Sequence, residues 1–125
     1  MTRAGFTLLQ AFKCAAHGVR IASRERNFRI ELAFLVACVA LGLFFGISAL
    51  EWAICVSCFG LVLGAETINT AIESVVDLVS PEYHELAGAA KDCAAGATYI
   101  LALSSLLVGI ILFLPRIIAL IGISL

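Results

Sequence analysis

Four polar side chains lie in register within a long apolar segment near the middle of the chain. They are Glu66, Asn69, Glu73 and Asp77. Their spacings of three, four and four residues place them on one side of an α-helix. A charged side chain is costly inside a bilayer, so a membrane helix keeps one where it faces a partner, a cavity or a ligand. This pattern predicts a site that binds cations and does chemistry at a membrane surface.

Other ionisable residues flank the apolar segments on the same side of the predicted membrane: Glu25, Glu31, Glu82, Glu85, Lys91 and Asp92. Mg²⁺ typically takes one or two protein carboxylates and completes its shell with water and phosphate oxygens. Lys91 supplies a positive charge for a phosphate group. Phosphoryl transfer needs positioning, charge neutralisation and a group that orients the attacking hydroxyl. The cluster contains each of these parts, although the chain has neither a GxxxxGK[ST] loop nor a GxGxxG motif.

The composition indicates an integral membrane protein. The chain has 125 residues, of which 62% are hydrophobic, whereas soluble domains usually contain about 45–50%. We expect a single all-α domain over 1–125, and the net charge of -1 argues against a nucleic-acid partner. The apolar runs predict an amphipathic surface helix and three membrane spans, at about 5–24, 32–50, 52–78 and 93–114.

Two prolines mark predicted helix boundaries. Ser80 followed by Pro81 has the pattern of a helix N-cap and first helical residue, so we expect a new helix to begin there. Pro115 is expected to end the third span. The apolar tail at 117–125 is too short to span a membrane, and no function is assigned to it.

The charge distribution predicts the orientation. Six of the eight basic residues precede the first span, which favours a cytoplasmic N-terminus in a bacterial inner membrane. Counted from Trp52 at ~1.5 Å per residue, Glu66 lies ~21 Å and Glu73 ~31 Å along the second span. Glu66 is therefore expected in the inner leaflet and Glu73 at the cytoplasmic interface.

The chain contains five cysteines, and two of them form a CxxC motif at Cys55 and Cys58. The motif lies inside a predicted membrane helix without a second Cys or His pair nearby. We interpret these residues as small apolar packing residues, in preference to a zinc or redox site.

The polar motifs resemble the prokaryotic diacylglycerol kinase family, which also includes undecaprenol kinases. The resemblance is carried by 25–30, 66–77, 80–85 and 90–92 and covers about 12–114. It implies a homotrimeric membrane lipid kinase that transfers the γ-phosphoryl group of ATP to a lipid hydroxyl with Mg²⁺. The chain departs from the family at Cys14, where relatives often carry Tyr, and in the tail beyond Pro115.

The resemblance also implies roles for single residues. Glu66 corresponds to the catalytic base, and Glu25 and Glu73 correspond to the metal ligands. The nucleotide and phosphate site would comprise Asn69, Glu73, Asp77, Glu82, His84, Lys91 and Asp92. The lipid substrate would contact Glu66, Asn69 and Glu31.

Some alternatives stay open. Asp77 and Asp92 also fit solvated helix ends, and His84 fits an ordinary interfacial residue. An ion- or proton-coupled protein that uses Glu66, or a non-catalytic adaptor, would also carry polar residues in its spans. All the acids are expected near the cytoplasmic face of the membrane. This placement argues against a path for ions across the bilayer. The lipid is undecaprenol or diacylglycerol, and we favour undecaprenol on the residues at 26–30, 51–52 and 80–84.

Overall fold

The computed structural model describes residues 7–122 and forms four α-helices. In chain order they are α1 (Leu8–Ala22), α2 (Arg26–Phe45), α3 (Ala49–Val79) and α4 (Glu85–Leu120). Helices α2, α3 and α4 are each long and apolar enough to cross a membrane. The predicted all-α fold, with one short helix before three long apolar ones, is therefore confirmed.

Local capping residues fix where α1 and α3 begin. The predicted start of α1 at 5 lies outside the described residues. Within them, Thr7 and Gln10 form a capping box, in which side chain and backbone bond reciprocally. Ser48 and Glu51 form the same device before α3.

The turn between α2 and α3 comes earlier than the sequence predicted. The first span was expected to reach 50, but α2 ends at Phe45. Gly46 then adopts a left-handed conformation with φ of 62°, which favours glycine. The prediction of an uninterrupted span was wrong because it followed hydropathy and overlooked this glycine and the capping box that follows it.

The predicted helix start at Ser80 was also wrong. The Ser80 amide donates to the carbonyl of Val76 at 2.8 Å and ends α3. The Ser80 hydroxyl donates to the carbonyl of Glu82 across the turn. His84 caps α4 instead, with Nδ1 accepting from the amide of Leu86 at 3.2 Å. The turn therefore includes Pro81, and α4 runs without a break from Glu85 into the predicted third span.

Pro115 does not end α4, which continues to Leu120. Proline in a membrane helix is tolerated where neighbouring groups satisfy the disturbed backbone. Pro115 has no amide to donate to the carbonyl of Ile111, and Arg116 Nη1 donates to the next carbonyl, that of Leu112, at 2.6 Å. Its Nη2 also donates to Glu51 Oε1 at 2.7 Å. The ion pair joins the start of α3 to the end of α4, where hydropathy predicted only an apolar tail.

Helix α3 is the centre of the bundle and packs on α2 and, most extensively, on α4. Gly42 of α2 faces the indole of Trp52, where a Cβ atom would lie only 2.6 Å from Cη2. At this end of the bundle Ile47, Cys55 and Phe113 form a small apolar core.

The surface of the bundle is largely apolar, and its interior holds a buried carboxyl group. Among the described residues, Glu66 is the largest side chain that is fully buried, at 2% exposure. Many large apolar side chains are exposed, including Phe34, Phe44 and Leu107. Such a surface requires hydrocarbon or other apolar chains around it.

Candidate active site

Glu66 lies on α3 in the interior of the bundle and is 2% exposed. Its Oε2 is buried and has no hydrogen-bond partner among the described residues. Thr98 of α4 is 7% exposed and its side chain neighbours the Glu66 carboxylate. A buried carboxyl oxygen without a partner is costly, so it indicates a group that meets a ligand or a metal ion.

Glu66, Asn69, Glu73 and Asp77 form one polar stripe along α3, and the second and third of them are bonded to each other. Asn69 Nδ2 donates to Glu73 Oε1 at 3.1 Å, one helical turn apart. Asn69 is 6% exposed, and its Oδ1 is also buried without a partner among the described residues. Glu73 is half-buried. The amide thus holds one oxygen of Glu73 in place while its own oxygen remains free to accept.

A cavity of about 210 Å³ joins these residues to the start of α2. We call it the acidic cavity, and its lining residues are Glu25, Arg26, Asn27, Glu66, Asn69 and Glu73. Glu25 is the N-cap residue of α2, but its side chain makes no capping hydrogen bond. The carboxylates of Glu25 and Glu73 are near enough for their negative charges to act on Glu66. Three carboxylates that share so small a space are stabilised by a bound cation.

Among residues 7–122, no group of three or more His, Cys, Asp or Glu side chains has the arrangement of a metal site. The acidic cavity nevertheless fits the way in which Mg²⁺ is usually held. One or two carboxylates suffice for this ion when water and phosphate oxygens complete its shell. The free oxygen of Asn69 and the uncapped carboxylate of Glu25 are hard ligands of the right kind.

Asp77 and Lys91 meet on the exposed side of the acidic cavity. Lys91 Nζ donates to Asp77 Oδ1 at 2.8 Å, which joins α3 to α4. The charge of Glu73 also acts on Lys91. Both side chains of the pair are more than a third exposed, so the pair contributes little to stability. Its position places an ammonium group beside the acids, where a phosphate group could be bound.

Glu31 lies deeper along α2 than the acidic cavity. Its side chain is half-buried, and Oε2 is buried without a partner among the described residues. The charge of Glu66 acts on it. Glu31 also lines a groove of about 990 Å³ formed by α2, α3 and α4, which we call the apolar groove. The groove extends to Leu114 and Ile117 and shares three residues with the acidic cavity: Asn27, Asn69 and Glu73.

Five predicted nucleotide residues line neither cavity: the paired Asp77 and Lys91, and also Glu82, His84 and Asp92. Glu82 and His84 lie exposed in the turn before α4, where the His84 side chain serves as an N-cap. Asp92 is exposed on α4 beside Lys91 in the sequence.

The structure adds three residues that sequence reasoning did not assign to the site. Arg26 and Asn27 line the acidic cavity from the first turn of α2. Both follow Glu25 directly, so their adjacency to a candidate ligand was an available signal. Thr98 was hidden in an apolar run, but it lies seven residues after Lys91, which is two helical turns along the same side.

A comparison with known families decides the assignment of the whole chain. Residues 13–113 match the family model described as prokaryotic diacylglycerol kinase. This chain belongs to that family. The match includes every residue of the acidic cavity and all three long apolar helices over most of their length.

Individual relatives agree with the family assignment. The chain is 39% identical over 108 residues to the undecaprenol kinase of Bacillus subtilis (strain 168), covering 86% of this chain and 88% of that one. It is 43% identical over 115 residues to the diacylglycerol kinase of Synechocystis sp. (strain ATCC 27184 / PCC 6803 / Kazusa), covering 90% and 66%. The diacylglycerol kinase of Escherichia coli (strain K12) is 36% identical over 98 residues, covering 77% and 80%.

The family and its named members show that the protein is a membrane lipid kinase. Such an enzyme transfers a phosphoryl group to a lipid alcohol and needs ATP and a lipid as substrates. The predicted enzyme class is confirmed. No observation favours the alternative of an ion- or proton-coupled protein.

Proposed function

We propose that this lipid kinase passes the γ-phosphoryl group of ATP directly to the hydroxyl of a membrane lipid, with Glu66 as the general base. One observation supports this most strongly. Glu66 is 2% exposed, has a buried oxygen without a partner among the described residues, and shares the acidic cavity with two other carboxylates. A carboxylate so placed can take up the proton of a hydroxyl as that oxygen attacks phosphorus.

Direct transfer fits the side chains around Glu66. The described residues that line the acidic cavity include no Ser, Cys or His that would form a phosphoryl-enzyme. The lipid oxygen would therefore attack the γ-phosphorus of ATP as the bond to ADP breaks. Thr98 neighbours the Glu66 carboxylate and would keep it oriented during this step.

Glu25 and Glu73 are proposed to hold Mg²⁺ together with the phosphates of ATP. The two side chains approach the acidic cavity from different helices, α2 and α3. The hydrogen bond from Asn69 orients Glu73 and leaves its second oxygen available. When bound, the ion neutralises charge on the transferring phosphoryl group. The protein residues supply the fixed carboxylates that bring it next to Glu66.

The exposed end of the stripe is proposed to bind the nucleotide. Lys91 would donate to a phosphate oxygen, and Asp77 holds its ammonium group near Glu73 until ATP arrives. Glu82, His84 and Asp92 are proposed to lie along the more distant part of the nucleotide, since all three are exposed at the same end of the bundle.

The lipid is proposed to enter through the apolar groove with its hydroxyl next to Glu66. The apolar wall of the groove is connected to the acids by Glu31 and by the three residues that line both cavities. From Ala95 to Ile117 the groove follows 22 residues of α4, or ~33 Å at ~1.5 Å per residue. One leaflet is only ~15 Å thick, half of the ~30 Å core. A long single polyprenyl chain fills such a groove better than an acyl chain, so we favour undecaprenol over diacylglycerol.

The surroundings of the enzyme are part of the proposal. We expect a homotrimer in the bacterial inner membrane with a cytoplasmic N-terminus, as one domain over 1–125. Basic residues before the first long helix support this orientation. The many exposed apolar side chains support contacts with lipid and with neighbouring subunits. Product from undecaprenol would serve recycling of the cell-wall carrier, and product from diacylglycerol would serve phospholipid biosynthesis.

The test is transfer of label from γ-labelled ATP in mixed micelles. Undecaprenol and diacylglycerol are offered separately, each with Mg²⁺ and with a chelator in excess. We expect label in undecaprenol at a higher kcat/KM than in diacylglycerol, and none with the chelator. Preference for diacylglycerol would refute the lipid assignment, and full transfer in the chelator would refute the metal. Label in neither lipid, from folded protein, would refute both lipid choices.

A further inference from the structure

Two cysteines from different helices meet in the apolar core, away from the acidic cavity. The Sγ atoms of Cys38 on α2 and Cys55 on α3 lie 3.7 Å apart in a hydrogen bond. Cys55 is 4% exposed and packs with Ile47 and Phe113. It lies 11 residues from Glu66, about 16 Å along the helix, so the kinase chemistry does not use it.

The pairing partner of Cys55 follows from geometry. Cys58 lies one turn further along α3, and side chains at this spacing have Cβ atoms about 5–6 Å apart. A disulfide needs Cβ atoms about 3.5–4.5 Å apart. Cys38 faces Cys55 from the other helix with the sulfur atoms already in contact. A bond between α2 and α3 is therefore favoured over one within α3.

The structure also provides a route to the pair from the bilayer. Cys38 is half-buried and lines the apolar groove. Most of its lining residues are apolar, so an apolar reagent dissolved in lipid can enter this groove. Cys14 and Cys93 are exposed instead. The thiolate is the reactive form, and it is scarce in an apolar environment. We therefore expect the core pair to react more slowly than the exposed thiols.

We propose that Cys38 and Cys55 form a modification site, at which an apolar disulfide oxidant joins them in an intramolecular disulfide. The Cys38 sulfur attacks one sulfur of the oxidant, which releases one thiol and leaves a mixed disulfide on the protein. The Cys55 sulfur then attacks Cys38 in that mixed disulfide and releases the second thiol. The two protein thiols are oxidised, the oxidant is reduced, and both protons leave on the released thiols.

The experiment uses the full chain in lipid nanodiscs with 2,2′-dithiodipyridine as the oxidant. In the C14S/C58S/C93S background, only Cys38 and Cys55 remain. We expect two thiopyridone molecules released per chain, a final mass lower by two hydrogen atoms, and a peptide that links the two cysteines. Adding Cys38→Ser to this background should abolish the disulfide. At most one mixed-disulfide adduct should then remain, on Cys55.

Three results would overturn the proposal. They are stable adducts on both cysteines, a bond between two chains, and no reaction at all. A second test retains Cys58, so that three core thiols compete. A predominant bond from Cys58 to either partner would refute the assigned pairing. Thermal unfolding measured before oxidation verifies that each variant is folded, and Cys38→Ala replaces Cys38→Ser if serine disturbs the core.

Discussion

Replacing Glu66 with Gln tests the general base with little change in shape. The side chain is 2% exposed, and its Oε2 has no partner among the described residues, so no protein hydrogen bond is lost at that oxygen. The charges of Glu25 and Glu73 act on Glu66, so removing its charge relieves repulsion and should not lower the unfolding temperature. A positioned base typically contributes about 10²–10⁴-fold. At ~1.36 kcal/mol per tenfold, this corresponds to about 2.7–5.4 kcal/mol of transition-state stabilisation.

The assay measures label transfer at saturating ATP, lipid and Mg²⁺, together with thermal unfolding of the same samples. We expect kcat to fall by about 10²–10⁴-fold while the KM for ATP stays near that of the wild type. Glu85→Gln is the matched control, because it makes the same change at an exposed carboxylate in the first turn of α4. Turnover by Glu66→Gln within about tenfold of the control would refute the assignment.

Three other changes test the metal ligand, the phosphate contact and the packing of the bundle. Glu73→Gln keeps an oxygen acceptor for the adjacent amide but removes the charge, so the Mg²⁺ concentration for half-maximal activity should rise by about tenfold or more; an unchanged titration would exclude this ligand. Lys91→Met removes a charged donor and should raise the KM for ATP by about tenfold or more, measured in the same transfer assay; an unaltered KM would contradict the phosphate contact. Gly42→Ala places a Cβ 2.6 Å from the Trp52 ring and should destabilise the fold by about 1–3 kcal/mol in denaturant unfolding. Gly60→Ala is its control, because a Cβ there meets nothing within 4 Å, and equal losses in both variants would refute the packing argument.

Hydropathy and periodicity were sufficient to predict the number and type of helices. Apolar runs long enough to cross a bilayer leave few other folds available. The boundaries depended on single residues that hydropathy does not weigh. Gly46 and the Ser48–Glu51 capping box end one helix and start the next inside an apparently continuous apolar segment. Both signals could have been recognised in the sequence, because glycine is typical after the end of a helix and an S-x-x-E pattern is typical at the start of one.

The two proline boundaries failed for a different reason. A sequence shows that proline lacks an amide, but it does not show which neighbours satisfy the backbone around it. Beside Pro115, the guanidinium of Arg116 bonds to the carbonyl of Leu112 and to Glu51, 65 residues away. At Pro81 the cap is supplied by His84, which is an unusual residue in this role. Both outcomes depend on contacts that form only after the helices pack or the turn closes.

The candidate site was also predictable only in part. The stripe on α3 was predictable because one helical period fixes the relative placement of Glu66, Asn69 and Glu73. The residues that complete the acidic cavity come from other helices. Arg26 and Asn27 line it from α2, and Thr98 of α4 neighbours Glu66 while lining the apolar groove. Their placement depends on the relative rotation of packed helices, which no single-helix pattern contains.

The exposure of the stripe changes steadily along α3 and suits a reaction between a water-soluble and a membrane-bound substrate. The Asp77 side chain is 66% exposed, Glu73 is half-buried, Asn69 is 6% exposed and Glu66 is 2% exposed. From Asp77 to Glu66 is 11 residues, or about 16 Å along the helix. A nucleotide can approach only the exposed end, and a lipid hydroxyl is held best at the buried end. The proposed transfer requires a carboxylate that can hold Mg²⁺ between the two substrates, and Glu73 lies between these two ends of α3.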